Sequence, residues 1–192
     1  RPALLHIISR DPAPPPISYV KVSGGMFLDM TIHDFDMARY LIGAEVEEVY
    51  TQAAVTVDPA IGEAGDVDTA LIVLKFANGV IGTIDNCRRA PYGYDQRVEI
   101  LGSQGSIATG NNYPNAAVIS DAASVHRDLP LNFFMDRYTE SFATEVAAFV
   151  DAVLHDRPVP VGGADARASV AIGLAAAKSH REGRPVKLSE LG

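Results

Sequence analysis

Apolar residues follow two rhythms along this chain. From Arg1 to Ser9 a nearly continuous apolar run (Leu4, Leu5, Ile7, Ile8) predicts a short buried strand. The prolines of Asp11 to Ile17 (DPAPPPI) end it, because each fixes φ and removes a donor. Gly24 and Gly25 then lead into a predicted single helix, Met26 to Ile42, closed by Gly43 in the position after the last turn. Within it Met30, Met37, Ala38 and Leu41 recur at helical spacing and suit a core face.

From Glu45 the rhythm shortens to that of strands. Glu45 to Val57, Val67 to Phe76, Val80 to Arg88 and Gln96 to Ile100 are rich in Val, Ile and Thr. Asn78-Gly79 between two of these runs signals a hairpin, since both residues tolerate positive φ. Gly102 to Gly105 offers a further turn before a short strand around Ile107, and Ala117 to Ile119 is a weaker strand candidate. Helical spacing returns in Asp136 to His155, where Tyr138, Phe142, Val146, Phe149 and Val153 form one apolar stripe, read as core. Asp165 suits the start of an Ala-rich helix, Ala166 to His180, which Gly183 and Pro185 stop before a last edge strand at Val186 to Leu188. Consecutive strands without intervening helices predict an α+β fold: an open, mostly antiparallel sheet with helices packed on one face. No linker or repeat divides residues 1–192, so one domain is expected.

Composition narrows the function classes. The 16 Lys and Arg against 24 Asp and Glu give a formal charge of −8, which argues against a nucleic-acid backbone binder. Arg88 and Arg89 are too small a basic pair to change that. A single cysteine, Cys87, excludes an intrachain disulfide and a thiolate zinc cage, and is read as a small buried hydrophobe. No apolar run approaches the roughly 20 residues that span a bilayer. Arg1-Pro2 is no signal peptide and lacks an initiator Met, so a domain of a longer, cytoplasmic protein is expected.

One constellation could do chemistry. Asp29, His33 and Asp36 stand at i, i+4 and i+7 of the predicted helix, and at about 100° per residue they project within about 60° of one another. Tyr40 continues along that side. A carboxylate one turn from an imidazole can orient the ring and stabilise its protonated form. Spacing alone leaves three readings open: a solvated or internally hydrogen-bonded face, a metal site short of ligands, or a proton-transfer pair. His6 is read as a core or edge histidine and Arg10 as a surface arginine.

The run Gly24 to Leu41 (GGMFLDMTIHDFDMARYL) resembles the central signature of the inositol dehydrogenase and glucose–fructose oxidoreductase family. Ile7 to Pro12 (IISRDP), Asn78-Gly79, Tyr92 to Arg97 (YGYDQR), Gly102 to Ser106 (GSQGS) and Tyr138 to Val153 follow in the family's order, so the resemblance covers nearly the whole chain. It implies that residues 1–192 are the C-terminal substrate-binding and oligomerisation domain, without the N-terminal dinucleotide-binding domain. Asp29 and His33 match the Asp and His of the family's Lys/Asp/His catalytic set, with His33 as general base and Asp29 also holding substrate hydroxyls. Asp36 matches a supporting acidic position, and Tyr92 a substrate-contacting tyrosine that could equally be packing. The implied substrate is a cyclic polyol, myo-inositol first, oxidised to a keto-inositol. The implied cofactor is NAD, bound mainly by the absent domain; no cofactor-binding residue and no metal site is expected in this chain. Gly102 and Gly105 lack the GxGxxG spacing. The fragment alone is expected to be inactive. The resemblance also implies a dimer or tetramer formed through the sheet. A non-catalytic oligomerisation or binding module, or a dehydrogenase of another sugar or polyol, are the alternatives.

Overall fold

The computed structural model describes residues 1–191. These residues form nine strands: β1 (Pro2–Arg10), β2 (Val46–Ala54), β3 (Thr69–Phe76), β4 (Ile81–Cys87), β5 (Asp95–Gly102), β6 (Gly105–Thr109), β7 (Val118–Ser120), β8 (Val125–Arg127) and β9 (Val186–Lys187). The helices are α1 (Ile17–Val20), α2 (Met26–Asp29), α3 (Thr31–Ile42), α4 (Pro59–Glu63), α5 (Phe134–Leu154) and α6 (Gly163–Glu182), with a 3-10 turn at Leu188–Leu191. Seven strands make one sheet in the order β6-β5-β1-β4-β3-β2-β9, while β7 and β8 pair separately. Every neighbouring pair in the large sheet is antiparallel except β1 and β4, which run parallel. A parallel pair needs a long crossover, and here it consists of α1 to α4 with β2 and β3.

Period-two alternation gives the large sheet two unlike faces. Leu5 and Ile7 of β1, Ile72 and Leu74 of β3, Ile84 of β4 and Val49 of β2 are buried on one side. They share a core with Phe35, Ala38 and Ile42 of α3 and Ile172, Ala175 and Ala176 of α6. The opposite side presents Leu4, Leu71, Val73 and Ile81 to solvent, among His6, Thr83 and Asp85. The α+β class with helices on one face is therefore the fold observed. The Asn78-Gly79 turn joins β3 to β4, with Gly79 at φ 85°. Gly43 and Gly183 end α3 and α6 in the left-handed region, and the Asp165 carboxylate accepts the Gly162 N–H at 2.9 Å in the first turn of α6.

Four expectations change. The single helix from Met26 to Ile42 is two, broken at Met30 (φ −103°, ψ −59°). The two pieces are anchored differently: α2 lies against α6, whereas the buried Thr31 hydroxyl donates 2.6 Å to Asn86 of β4. Of the expected core face Met30 and Ala38 are buried and Leu41 packs against them, but Met37 is exposed, and Phe35 and Ile42 complete the face. The Tyr138, Phe142 and Phe149 stripe is not core of this chain: Phe142, Val146, Phe149 and Val153 are exposed, and Ala152 alone of α5 is buried. An amphipathic pattern says that a face will be covered, not which surface covers it. Cys87 is half-buried on the open sheet face, beside Thr69, not enclosed in the core.

The contact between α2 and α6 depends on Gly173. A Cβ there would lie 2.7 Å from Leu28 Cδ2 and 3.0 Å from the Phe27 carbonyl oxygen. In an ordinary helix Gly→Ala stabilises by about 1 kcal/mol. At this position overpacking reverses the sign, and Gly173→Ala is expected to destabilise by about 1–3 kcal/mol. A urea midpoint lowered at unchanged m-value checks it; a raised midpoint contradicts the close approach.

Candidate functional site

The carboxyl ends of the parallel strands β1 and β4 carry the polar groups. Along β1 the covered face reads Leu5, Ile7, Ser9, and along β4 Ile84, Asn86; in both, apolar alternation ends in a polar residue that is still buried. The first turn of α3 sits on them. Asp34, 6 % exposed, accepts hydrogen bonds from Ser9 Oγ at 2.5 Å and Asn86 Nδ2 at 2.8 Å. Ser9 Oγ also lies 2.8 Å from Gln96 Oε1 of β5. A hydroxyl has one proton and cannot donate to both. Below its pKa a proton on Asp34 completes the chain, with Asp34 donating to Ser9 and Ser9 to Gln96; above it Ser9 donates to the Asp34 carboxylate and the Gln96 amide turns its Nε2 toward Ser9. Burial pushes the Asp34 carboxyl up to about 6, against the hydrogen bonds from Ser9 and Asn86, in agreement with that arrangement.

His33, next to Asp34, points the other way and is exposed. Asp29, at the end of α2, is held by two groups: Tyr19 Oη donates to Oδ1 at 2.6 Å, and Arg88 Nη2 donates to Oδ2 at 3.0 Å. Asp11 belongs to the same neighbourhood. Burial pushes its carboxyl up to about 6; the Arg88 charge opposes this and the Asp29 charge adds to it. The break at Met30 puts Asp29 at the end of α2 and His33 in the first turn of α3, where their spacing predicts one helix.

The remaining expected residues lie in other contact networks. Asp36 accepts from Ser169 Oγ of α6 at 3.2 Å and pairs with Arg39 at 3.6 Å. It lines an open groove of about 1110 Å³ with Tyr138, Val146 and Phe149 of α5 and Val159. Tyr92 donates to Asp95 Oδ2 at 2.6 Å and receives Arg10 Nη1 at 3.2 Å. Burial would raise the Asp95 carboxyl, but hydrogen bonds from Arg97, Tyr92 and Asn111 outweigh it and hold it at about 2. Arg10 is no free surface arginine, since it also pairs with Asp85 through two hydrogen bonds. His6 is half-buried against Thr83 on the open face, Nδ1 to Oγ1 2.6 Å.

Sequence reasoning passed over Tyr19, Asp34, Asp11, Ser9, Asn86 and Arg88. For Ser9 and Asn86 a signal was present, a polar residue in phase with the buried side of a strand. Tyr19 gave none, because it follows a proline-rich segment without periodicity. Among the described residues no group of three or more His, Cys, Asp or Glu is arranged to hold a metal ion. The Gly102 to Gly105 turn does not fit a dinucleotide: it carries β5 back onto the antiparallel β6 and leads into no helix N-terminus that could meet a pyrophosphate. Among the described residues no helix is long and apolar enough to cross a membrane.

The profile described as "Oxidoreductase family, C-terminal alpha/beta domain" matches residues 8–188. A myo-inositol 2-dehydrogenase of Thermotoga maritima is 51 % identical over 191 residues, covering 100 % of this chain and 57 % of that protein. The crystal structure of a probable dehydrogenase from Thermotoga maritima superposes with a TM-score of 0.96 at 51 % identity, over 98 % of this chain and 57 % of that one. That of scyllo-inositol dehydrogenase from Lactobacillus casei, with bound NAD(H) and scyllo-inositol, gives 0.88 at 25 % identity, over 98 % and 57 %. The chain thus spans little more than half the length of these relatives.

Asp34 yields a pH test. Its native pKa of about 6 lies above the ordinary 3.8, so between about pH 4 and 6 the folded chain keeps a proton that the unfolded chain has lost. The associated stability is fully present below that window and lost as pH rises through it, on the order of 2–3 kcal/mol. Asn at this position reproduces the protonated acid, accepting from Asn86 and donating to Ser9. Asp34→Asn is therefore expected to be more stable than the parent chain at pH 8 by a similar amount, the difference vanishing near pH 4. Denaturant melts at the two pH values measure it; a variant less stable at pH 8 sinks the protonated assignment.

Proposed function

The chain belongs to the oxidoreductase family as its C-terminal alpha/beta domain, and on that premise we propose that it is the substrate-facing half of an NAD-dependent inositol dehydrogenase. Residues 1–192 would form the substrate-binding and oligomerisation domain of a longer cytoplasmic protein. The observation that carries the reading is the exposed His33 imidazole on the same short stretch as Asp29, whose carboxylate is already ordered by two hydrogen bonds. The names of the inositol dehydrogenases it resembles favour a cyclic polyol, myo-inositol first, over another sugar.

Oxidising a secondary alcohol removes a hydride from carbon and a proton from oxygen. NAD, held outside these residues, would take up the hydride. The part assigned to this chain is the proton: the imidazole of His33 accepts it as the carbonyl forms. Asp29 accepts hydrogen bonds from neighbouring hydroxyls of the ring and sets its orientation, with Asp36 and Tyr92 in supporting contacts. A base within hydrogen-bond reach prevents full alkoxide charge from building up, which is the source of its rate effect.

The second role is assembly. Leu4, Leu71, Val73, Ile81 and Leu101 are exposed on the uncovered face of the sheet. Packing that face on a second copy would bury them, giving a dimer or, with further contacts, a tetramer.

In the complete dehydrogenase His33→Ala is expected to lower kcat by about 10²–10⁴ with assembly intact, measured by steady-state kinetics and sedimentation. Full activity in that variant removes His33 as base. The chain by itself is expected to show no micromolar NAD binding by calorimetry and to self-associate in sedimentation equilibrium. A strictly monomeric species at high concentration removes the assembly role.

A further inference from the structure

Arg88 stands directly after β4, and its side chain is 2 % exposed. A guanidinium carries five donors and keeps its charge, so it is buried at high cost unless carboxylates face it. Two do: Nη2 lies 3.0 Å from Asp29 Oδ2 and 3.7 Å from Asp66 Oδ2. The other oxygen of Asp66 accepts the Met26 N–H at 3.0 Å, in the first turn of α2. Gly25 passes so near that an added Cβ would meet that oxygen at 3.0 Å. The Arg88 backbone N–H is itself fixed, donating to the Asp68 carbonyl at 2.8 Å.

Arg88 therefore links the end of β4 to both ends of α2, through Asp66 at the start and Asp29 at the close. Its Nε is buried without a hydrogen-bond partner among the described residues. On the far side of Asp29, Oδ1 meets only the Tyr19 hydroxyl, and Tyr19 is 48 % exposed. One carboxylate oxygen is gripped from the interior and the other faces outward.

We propose that Arg88 is a positioning residue: it grips Asp29 from behind so that the outward oxygen meets substrate hydroxyls in one orientation. This rests on the reading of Asp29 as a substrate contact. Arg88 itself touches no substrate.

The test compares Arg88→Met, Arg88→Lys, Asp29→Asn and the Arg88→Met/Asp29→Asn double variant in the complete dehydrogenase with myo-inositol. Arg88→Met is expected to lower kcat/KM by about tenfold to a hundredfold at retained circular dichroism, as misplacement of a contact group does. Lysine, which keeps the charge and loses the planar fork, is expected to recover part of the loss. The double variant is expected to be no worse than Asp29→Asn, because the arginine acts through that carboxylate. Where Asp29→Asn is itself impaired, additive losses, or a folded Arg88→Met within about twofold of the parent, overturn the proposal. Should the methionine variant fail to fold, Arg88→Lys decides: reduced kcat/KM at an unchanged melting temperature supports positioning, and unchanged kcat/KM overturns it. A crystal structure of the folded Arg88 variant separates the two claims. Asp29 displaced, while Asp29→Asn stays fully active, leaves the positioning standing and removes Asp29 as a substrate contact. Asp29 unmoved overturns the positioning itself.

Discussion

The buried link between Asp34 and the ends of two parallel strands sets the geometry of everything near it. Ser9 and Asn86 leave the apolar alternation of β1 and β4 at adjacent register positions, Ser9 opposite Asn86. Three polar side chains in a core are tolerable only if they satisfy one another. They do so in one placement of α3, with Asp34 over both strands and Thr31 bonded to the same Asn86. That placement turns the neighbouring residue, His33, outward. The exposed imidazole is thus a consequence of where its buried neighbour must go.

The same anchor explains why α2 and α3 do not merge. Thr31 is held by β4, while α2 is held by Gly173 behind it and by Asp66 at its start. A continuous helix would have to release one of these attachments. Breaking at Met30 keeps all of them, with Asp29 at the end of α2 held by Arg88 and Tyr19.

These facts mark how far the residues alone could be read. Patterns whose cause is local were legible: the Asn78-Gly79 turn, the glycine ends of α3 and α6, Asp165 in the first turn of α6, and the alternation of β3 and β4. Asp29 and His33 drew attention through spacing and family resemblance, although the regular helix assumed for that spacing is interrupted. What escaped was set by contacts distant in sequence. Arg88 lies 59 residues from Asp29, and nothing around it in the chain announces the pairing. Asp34 was hidden inside the motif because a carboxylate between His33 and Phe35 reads as a surface residue until Ser9 and Asn86 are known to face it.

Two surfaces stay uncovered, and they differ in kind. The bare sheet face mixes Leu71, Val73 and Ile81 with His6, Thr83 and Asp85, a pattern suited to an interface with a polar complement. The α5 stripe of Phe142, Val146, Phe149, Val150 and Val153 is nearly continuous hydrocarbon along one helix. Large contiguous apolar patches are rare on isolated soluble domains. The two surfaces lie on different elements, so an association of copies through the sheet accounts for only one of them. The groove beside α5 also reaches Asp36, on the same helix as His33. Whatever packs along α5 therefore also meets Asp36, on the helix that bears His33.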